Sequence, residues 1–173
     1  PRWCIAYIAT LTYGACIVPI LQDFTPTDYI HIINHSESRL LFLGDTYWDA
    51  IEPEDIPNVE GVFSLTDYHV LFERRGGVLT KCVDSMTANY RRRYPQGFTV
   101  NDIKYADVPN DQLILLNYTS GTTGYSKGVM LTVNNLTANV YYAVNKVNKT
   151  TGADEGFYTA QTDEMPESSA IDQ

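Results

Sequence analysis

At 173 residues, 44% of them hydrophobic and 19% charged, the chain is long enough for one ordinary core and, on length alone, for one domain. Its formal net charge of −9 excludes the basic surface that nucleic-acid binding needs, but the acidity is local. Residues 150–173 hold Asp154, Glu155, Asp163, Glu164, Glu167 and Asp172 with no Lys or Arg, and the remaining 15 acids against 12 bases leave a net of only −3.

Trp3, Tyr7 and Leu11 share one helical face, so the sequence enters a helix already under way, which Gly14 ends. Residues 15–20 read as a buried strand. Thr25, Pro26 and Asp28 then supply an N-cap, a proline for the first helical position and an acid for the first turn, with Tyr29, Ile32 and Ile33 turned to the core. Residues 39–43 form the next strand, which completes a βαβ unit whose two strands are expected parallel, with a right-handed crossover. The class is therefore α/β, a layered domain with a mostly parallel sheet. Pro53 and Pro57 mark 52–58 as a connection, 61–65 reads as another strand and 67–73 as a short helix. Gly76 and Gly77 break the chain before a helical stretch at 84–94. Two short apolar runs, 113–117 and 129–131, read as strands, and Thr132 can cap a helix over 133–147. There is no internal repeat. The acidic end lacks hydrophobic periodicity and reads as a disordered tail.

No apolar run reaches the length of a membrane span and no secretory signal pattern opens the sequence. Cys4, Cys16 and Cys82 are odd in number without a C-x-x-C, which fits a reduced, cytoplasmic setting. His31 and His35 stand four apart on a helix, a spacing that can ligate zinc, but no third ligand or general-base glutamate accompanies them, so a structural role is favoured and no metal site is assigned. Arg91, Arg92 and Arg93 read as a solvated face before they read as a phosphate or coenzyme A grip. Four N-x-S/T sequons, at Asn34, Asn117, Asn135 and Asn148, carry no meaning without secretion. No Ser-His-Asp or Cys-His arrangement has a supporting local motif.

The informative segment is 118–132, Tyr-Thr-Ser-Gly-Thr-Thr-Gly-Tyr-Ser-Lys-Gly-Val-Met-Leu-Thr, a hydroxyl- and glycine-rich loop set between the two short strands. Gly121 and Gly124 allow successive N–H groups to converge on an anion; Thr119, Ser120, Thr122 and Thr123 add hydroxyl donors, and Lys127 adds a point charge suited to phosphate. Walker A is excluded, because Ser126 precedes the lysine and Gly128 follows it. An ordinary Gly/Ser/Thr hairpin is the bland alternative, and any two of these residues would be consistent with it.

This segment resembles the signature loop of the AMP-forming acyl-CoA synthetase and adenylate-forming ligase superfamily, usually Tyr-Thr-Ser-Gly-Thr-Thr-Gly-x-Pro-Lys-Gly-Val. The departure is Ser126 in place of proline. Residues 3–42, with Ala6-Tyr7, Gly14-Ala15, Val18-Pro19-Ile20 and Ile32-Ile33-Asn34-His35-Ser36, are similar to the early part of that family's large N-terminal domain. The resemblance implies a partial AMP-binding domain over 1–149, followed by the tail at 150–173, in an internal fragment of a larger enzyme. It implies ATP with Mg2+, a small-molecule carboxylic acid, most closely a fatty acid, and coenzyme A as the acceptor. The loop would bind the β- and γ-phosphates. No catalytic set is complete in this chain, since the family's adenine, ribose, metal and acyl-transfer residues lie downstream, so the isolated chain is expected to be inactive and inclined to self-associate through uncovered surfaces. The alternatives are an adenylation domain that loads an amino or aryl acid onto a carrier thiol, and a truncated, non-catalytic nucleotide-binding remnant.

Overall fold

The computed structural model describes residues 2–119 and 127–151, with side chains described through 146. The chain divides into two compact units, 1–134 and 135–173. In the second, what is described belongs to helix α5 (Val133–Thr151), where Lys146 lies 5.9 Å from the Tyr142 ring centroid. The acidic tail from 152 onward lies outside the described residues.

The first unit opens with α1 (Arg2–Tyr13), on which the Trp3 and Tyr7 rings meet at 5.2 Å as their spacing requires. Gly14 ends it at φ +80°, while the Gly14 and Ala15 N–H groups donate to the Leu11 and Thr10 carbonyls. A Cβ at Gly14 would also come within 2.8 Å of both Ala106 and Val108, so conformation and close approach each require glycine. Helix α2 (Pro26–His35) begins with the expected capping box: the Thr25 hydroxyl accepts from the Asp28 amide, and the Asp28 carboxylate accepts from the Thr25 amide at 3.0 Å. Its Tyr29, Ile32 and Ile33 are all buried.

Strand β1 (Leu40–Leu43) leads through α3 (Asp45–Trp48) and a 3-10 turn (Pro53–Asp55) to β2 (Gly61–Ser64), and β3 (Val70–Glu73) follows a tight turn. The sheet order is β1-β2-β3, β1 parallel and β3 antiparallel to β2. Residues 67–73, expected to be a helix, are therefore a turn and a strand. Tyr68 takes φ +68°, the Ser64 amide donates to the His69 carbonyl, and β-branched Val70 and aromatic Phe72 suit a pleated edge. The core gathers Tyr29, Ile33, Leu43, Ile51, Ile56, Val59 and Val62. Arg74 closes it from one side, its guanidinium donating to the carbonyls of Val59 at 2.8 Å, Pro53 at 2.9 Å and Ile56 at 3.1 Å. Helix α4 (Val78–Arg93) starts earlier than its sequence pattern suggested, because Glu73 accepts from the Leu79 and Thr80 amides and caps it from the preceding strand.

Strands β4 (Leu113–Thr119) and β5 (Lys127–Thr132) form a separate antiparallel pair. The α/β class holds, but the pairing differs from a mostly parallel sheet: one described ladder is parallel and two are antiparallel. The short links after β2 and β4 permit only antiparallel neighbours, whereas β1 and β2 are joined by a long crossover. Residues 15–20 do not pair with β1. Ile17 instead makes a single parallel bridge to Leu115, its N–H donating to the Ile114 carbonyl and its carbonyl accepting from the Leu116 N–H. The next donor on that edge would be residue 19, which is proline, so the ladder stops after one rung. Between this segment and β1 opens a cavity of about 1130 Å3, lined by Tyr7, Ile17, Tyr29, Leu41 and Leu113 among others.

Candidate phosphate-binding hairpin

The hairpin register decides what the 118–132 segment can present. Leu116 pairs with Met130, Asn117 with Val129, Tyr118 with Gly128, and Thr119 with Lys127. Both runs read as strands are strands, and the loop joins strand to strand as expected. Thr119 and Lys127 form the last rung, so a hydroxyl and an ammonium stem flank the mouth of the connection. Directly opposed residues on antiparallel strands put their side chains on one face, about 4.5–5.5 Å apart at the Cα atoms. Both residues are exposed, and Lys127 makes no ion pair with any described residue. Ser120, Gly121, Thr122, Thr123 and Gly124 lie outside the described residues.

The body of β4 is anchored, Leu115 on the face of Thr119 nearer the base and Tyr118 on the opposite face. Ile114, Leu115 and Tyr118 are 6%, 7% and 2% exposed, whereas Asn117 and Thr119 on either side of Tyr118 are open to solvent. The Tyr118 hydroxyl lies 2.6 Å from His35 Nδ1, with the two rings edge-on at 5.8 Å. Burial pushes the Tyr118 phenol above its ordinary value, so it remains an O–H donor across the neutral range. Across the hairpin its ring lies close to Gly128, where a Cβ would approach Tyr118 Cζ to 3.2 Å and Leu116 Cδ1 to 3.0 Å. The glycine after the lysine thus makes room for a side chain on the neighbouring strand. At the base of the hairpin, Gln112 donates to the Gly14 carbonyl at 2.7 Å, and the Val133 N–H donates to the Gln112 carbonyl at 3.0 Å.

The other residues singled out in the sequence lie on α2 and α4. The His31 and His35 rings lie 5.6 Å apart, tilted by 37°, His35 spends Nδ1 on Tyr118, and among the described residues no three His, Cys, Asp or Glu stand together as a metal site. Arg91, Arg92 and Arg93 are exposed; Arg92 donates to Asn89 and Arg93 lies 5.7 Å from the Tyr94 ring centroid. Asn34, the first sequon, donates to the Asp55 carbonyl at 2.6 Å and ties α2 to the 3-10 turn. What sequence reading missed is the pairing of His35 with Tyr118 across 83 positions. Its only local trace is the glycine placed opposite an aromatic in the hairpin register.

The model of the family described as AMP-binding enzyme matches residues 1–162. A long-chain-fatty-acid–CoA ligase 6 from Mus musculus is 27% identical over 148 residues, 80% of this chain and 20% of that protein. A medium-chain fatty-acid–CoA ligase from Escherichia coli (strain K12) is 27% identical over 143 residues, covering 80% and 24%. Among solved structures, ATP-bound MatB from Rhodopseudomonas palustris superposes with a TM-score of 0.57 at 22% identity, over 83% of this chain and 25% of that one. An anthranilate CoA ligase, AuaEII, in complex with anthranoyl-AMP gives 0.56 at 22%, over 81% and 25%. The two structures share the fold with this chain, which spans only about a fifth to a quarter of the length of these two ligases.

Proposed function

The chain belongs to the AMP-binding enzyme family, and from that premise we propose that it carries the phosphate-handling hairpin of an AMP-forming acid–thiol ligase. In the reaction, a carboxylate oxygen attacks the α-phosphate of ATP, the bond to the β-phosphate breaks and pyrophosphate leaves; coenzyme A sulfur then attacks the acyl carbon and AMP leaves. The relatives are CoA ligases of long- and medium-chain fatty acids, which supports a fatty acid as substrate and a CoA thiol rather than a carrier thiol as acceptor.

The observation that carries this reading is the Thr119–Lys127 rung. It places one hydroxyl and one cation at the mouth of a connection whose sequence supplies Ser120, Gly121, Thr122, Thr123 and Gly124. These residues would donate from hydroxyls and backbone N–H groups to the β- and γ-phosphates, and Lys127 would neutralise charge that grows on the departing pyrophosphate. Such preorganised donors lower the barrier without proton transfer. Magnesium accompanies ATP in this chemistry, but no cluster of metal ligands stands among the described residues, so none is assigned to hold it.

The division into a partial AMP-binding domain at 1–149 and an acidic tail at 150–173 remains part of the proposal, although helix α5 runs to Thr151 and the family match to residue 162, both past that boundary. A cytoplasmic setting is supported by the odd cysteine count. No helix among the described residues is long and apolar enough to cross a membrane. Pyrophosphate exchange in the full-length ligase tests the reading. Lys127→Ala should slow it by roughly one to three orders of magnitude, the range for one charged transition-state donor. Full retention of exchange overturns the assignment.

A further inference from the structure

We propose that His35 and Tyr118 are a positioning pair that fixes which face of the hairpin Thr119 and Lys127 occupy, an inference that rests on the phosphate-binding reading and deepens it. The pair acts through the neck of the hairpin. The argument starts from strand geometry: successive side chains point to opposite faces, so the facing of Thr119 is decided by where Tyr118 goes. Tyr118 goes inward, 2% exposed, and Thr119 is consequently turned out, together with its ladder partner Lys127.

Two interactions hold Tyr118 there. Its hydroxyl meets His35 Nδ1 at 2.6 Å, which satisfies a buried phenol that would otherwise lose its water for nothing. Its ring lies against Gly128, where a Cβ would approach Tyr118 Cζ to 3.2 Å and force the ring to give by a few tenths of an ångström, so glycine is the residue of β5 that seats the ring most closely. A slip of one residue would reverse every side chain and bring Lys127 opposite Tyr118 in place of glycine. His35 is a firm anchor because it ends α2, whose Ile32 and Ile33 are 0% and 2% exposed and whose terminus is closed by the Ser36 amide bonding to the Ile32 carbonyl. Through one polar contact the hairpin neck is therefore referenced to the best-packed helix of the unit. On β5, which is held through its ladder with β4, Val129 and Met130 are 45% and 70% exposed.

The test combines a ligand-free measurement on this chain with kinetics of the full-length ligase. In amide hydrogen exchange, Tyr118→Phe and His35→Leu should each speed exchange about tenfold at 117–119 and 127–129, as expected for one buried hydrogen bond, and leave Val62 and Phe63 unchanged. A general loss of stability would speed both sets. In pyrophosphate exchange, the same variants should raise KM for ATP about ten- to a hundredfold, the usual effect of losing an orienting partner, with KM for the acid unchanged. His35→Gln, whose amide can still bond the phenol, should return KM for ATP to within about threefold of wild type. Uniform exchange across the chain, an unchanged KM for ATP, or no rescue by glutamine overturns the positioning role. If Lys127→Ala is also fully active, the phosphate reading itself has failed; if Lys127→Ala is impaired and Tyr118→Phe is not, only the positioning pair has.

Discussion

The three-stranded sheet and the two-stranded hairpin use their apolar residues differently. Every position of β2 is buried, and the fully buried Ile32, Ile33, Ile56, Val59, Val62 and Ser64 all belong to the sheet and the segments packed on it. The hairpin buries Ile114, Leu115 and Tyr118 on one strand and leaves much of the other in solvent. Stability is therefore concentrated away from the residues that carry the proposed chemistry. Sites that must admit and release a ligand commonly sit on such weakly packed elements. The price is that the hairpin needs tethers, and among the described residues these include the Ile17 bridge, the Gln112 bond to Gly14, and the His35–Tyr118 pair.

The largest expected contrast comes from truncating one apolar side chain in each region. Ile56 is fully buried against Tyr29, Val59 and Val62, so Ile56→Ala should cost about 2–5 kcal/mol in denaturant unfolding, the transfer and cavity terms together. Met130→Ala, at a position 70% exposed, should stay within about 0.5 kcal/mol. Equal losses at the two sites would remove the distinction between regions.

Arg74 comes next. Its three bonds to the carbonyls of Pro53, Ile56 and Val59 satisfy a loop that carries two core residues, and its guanidinium also lies 5.2 Å from the Phe72 ring centroid. Arg74→Met keeps the apolar stem and removes the donors, so it should destabilise by about 1.5–3 kcal/mol. Equilibrium unfolding should show the loss, while amide exchange in β4 and β5 should not change. If the hairpin loosens equally, the two regions are one cooperative unit.

Much of this was legible because the signals were local. Thr25, Pro26 and Asp28 announce a helix start within four residues, and the two short runs around 118–126 announce a hairpin, so both formed where expected. Residues 67–73 were misread because a four-residue strand and one helical turn have the same apolar content, and only the turn at Tyr68 separates them. The start of α4 was hidden in Glu73, a cap contributed from outside the helix. Strand partners are set at long range: Ile17 is nearly a hundred positions from Leu115, and no local pattern says that it prefers β4 to β1. His35–Tyr118 is of the same kind. The phosphate motif was readable as chemistry, but the face it occupies depends on that distant histidine.

Helix α2 links the regions, since it contributes Tyr29, Ile32 and Ile33 to burial and His35 to the hairpin. Thr25→Ala removes the hydroxyl half of its capping box and should cost about 0.5–2 kcal/mol. Because the fraying begins at the opposite end from His35, thermal unfolding should shift while exchange at 117–119 holds steady. Faster exchange there would mean that α2 transmits disorder along its whole length, and that the hairpin depends on the helix rather than on one contact.

The smallest effect is expected at Glu73, where β3 hands over to α4. Burial pushes its carboxyl up, but the amides of Leu79 and Thr80 and the Thr80 hydroxyl bond to the ionised form and outweigh it, leaving the group below its ordinary 4.5. A carboxyl depressed on folding stabilises the native state fully above its unfolded value, and that contribution disappears as pH falls through the folded value. Wild type should thus lose part of its stability in the interval just below pH 4.5, and Glu73→Gln, which has no charge to lose, should show a shallower acid slope over the same interval. Solvent exposure keeps the difference small. Asp28, Asp67 and Asp102 are depressed in the same sense and titrate in both proteins, so the difference between the two unfolding curves isolates Glu73. Superimposable curves from pH 6 to pH 3 would show that α4 is held by its backbone and packing alone.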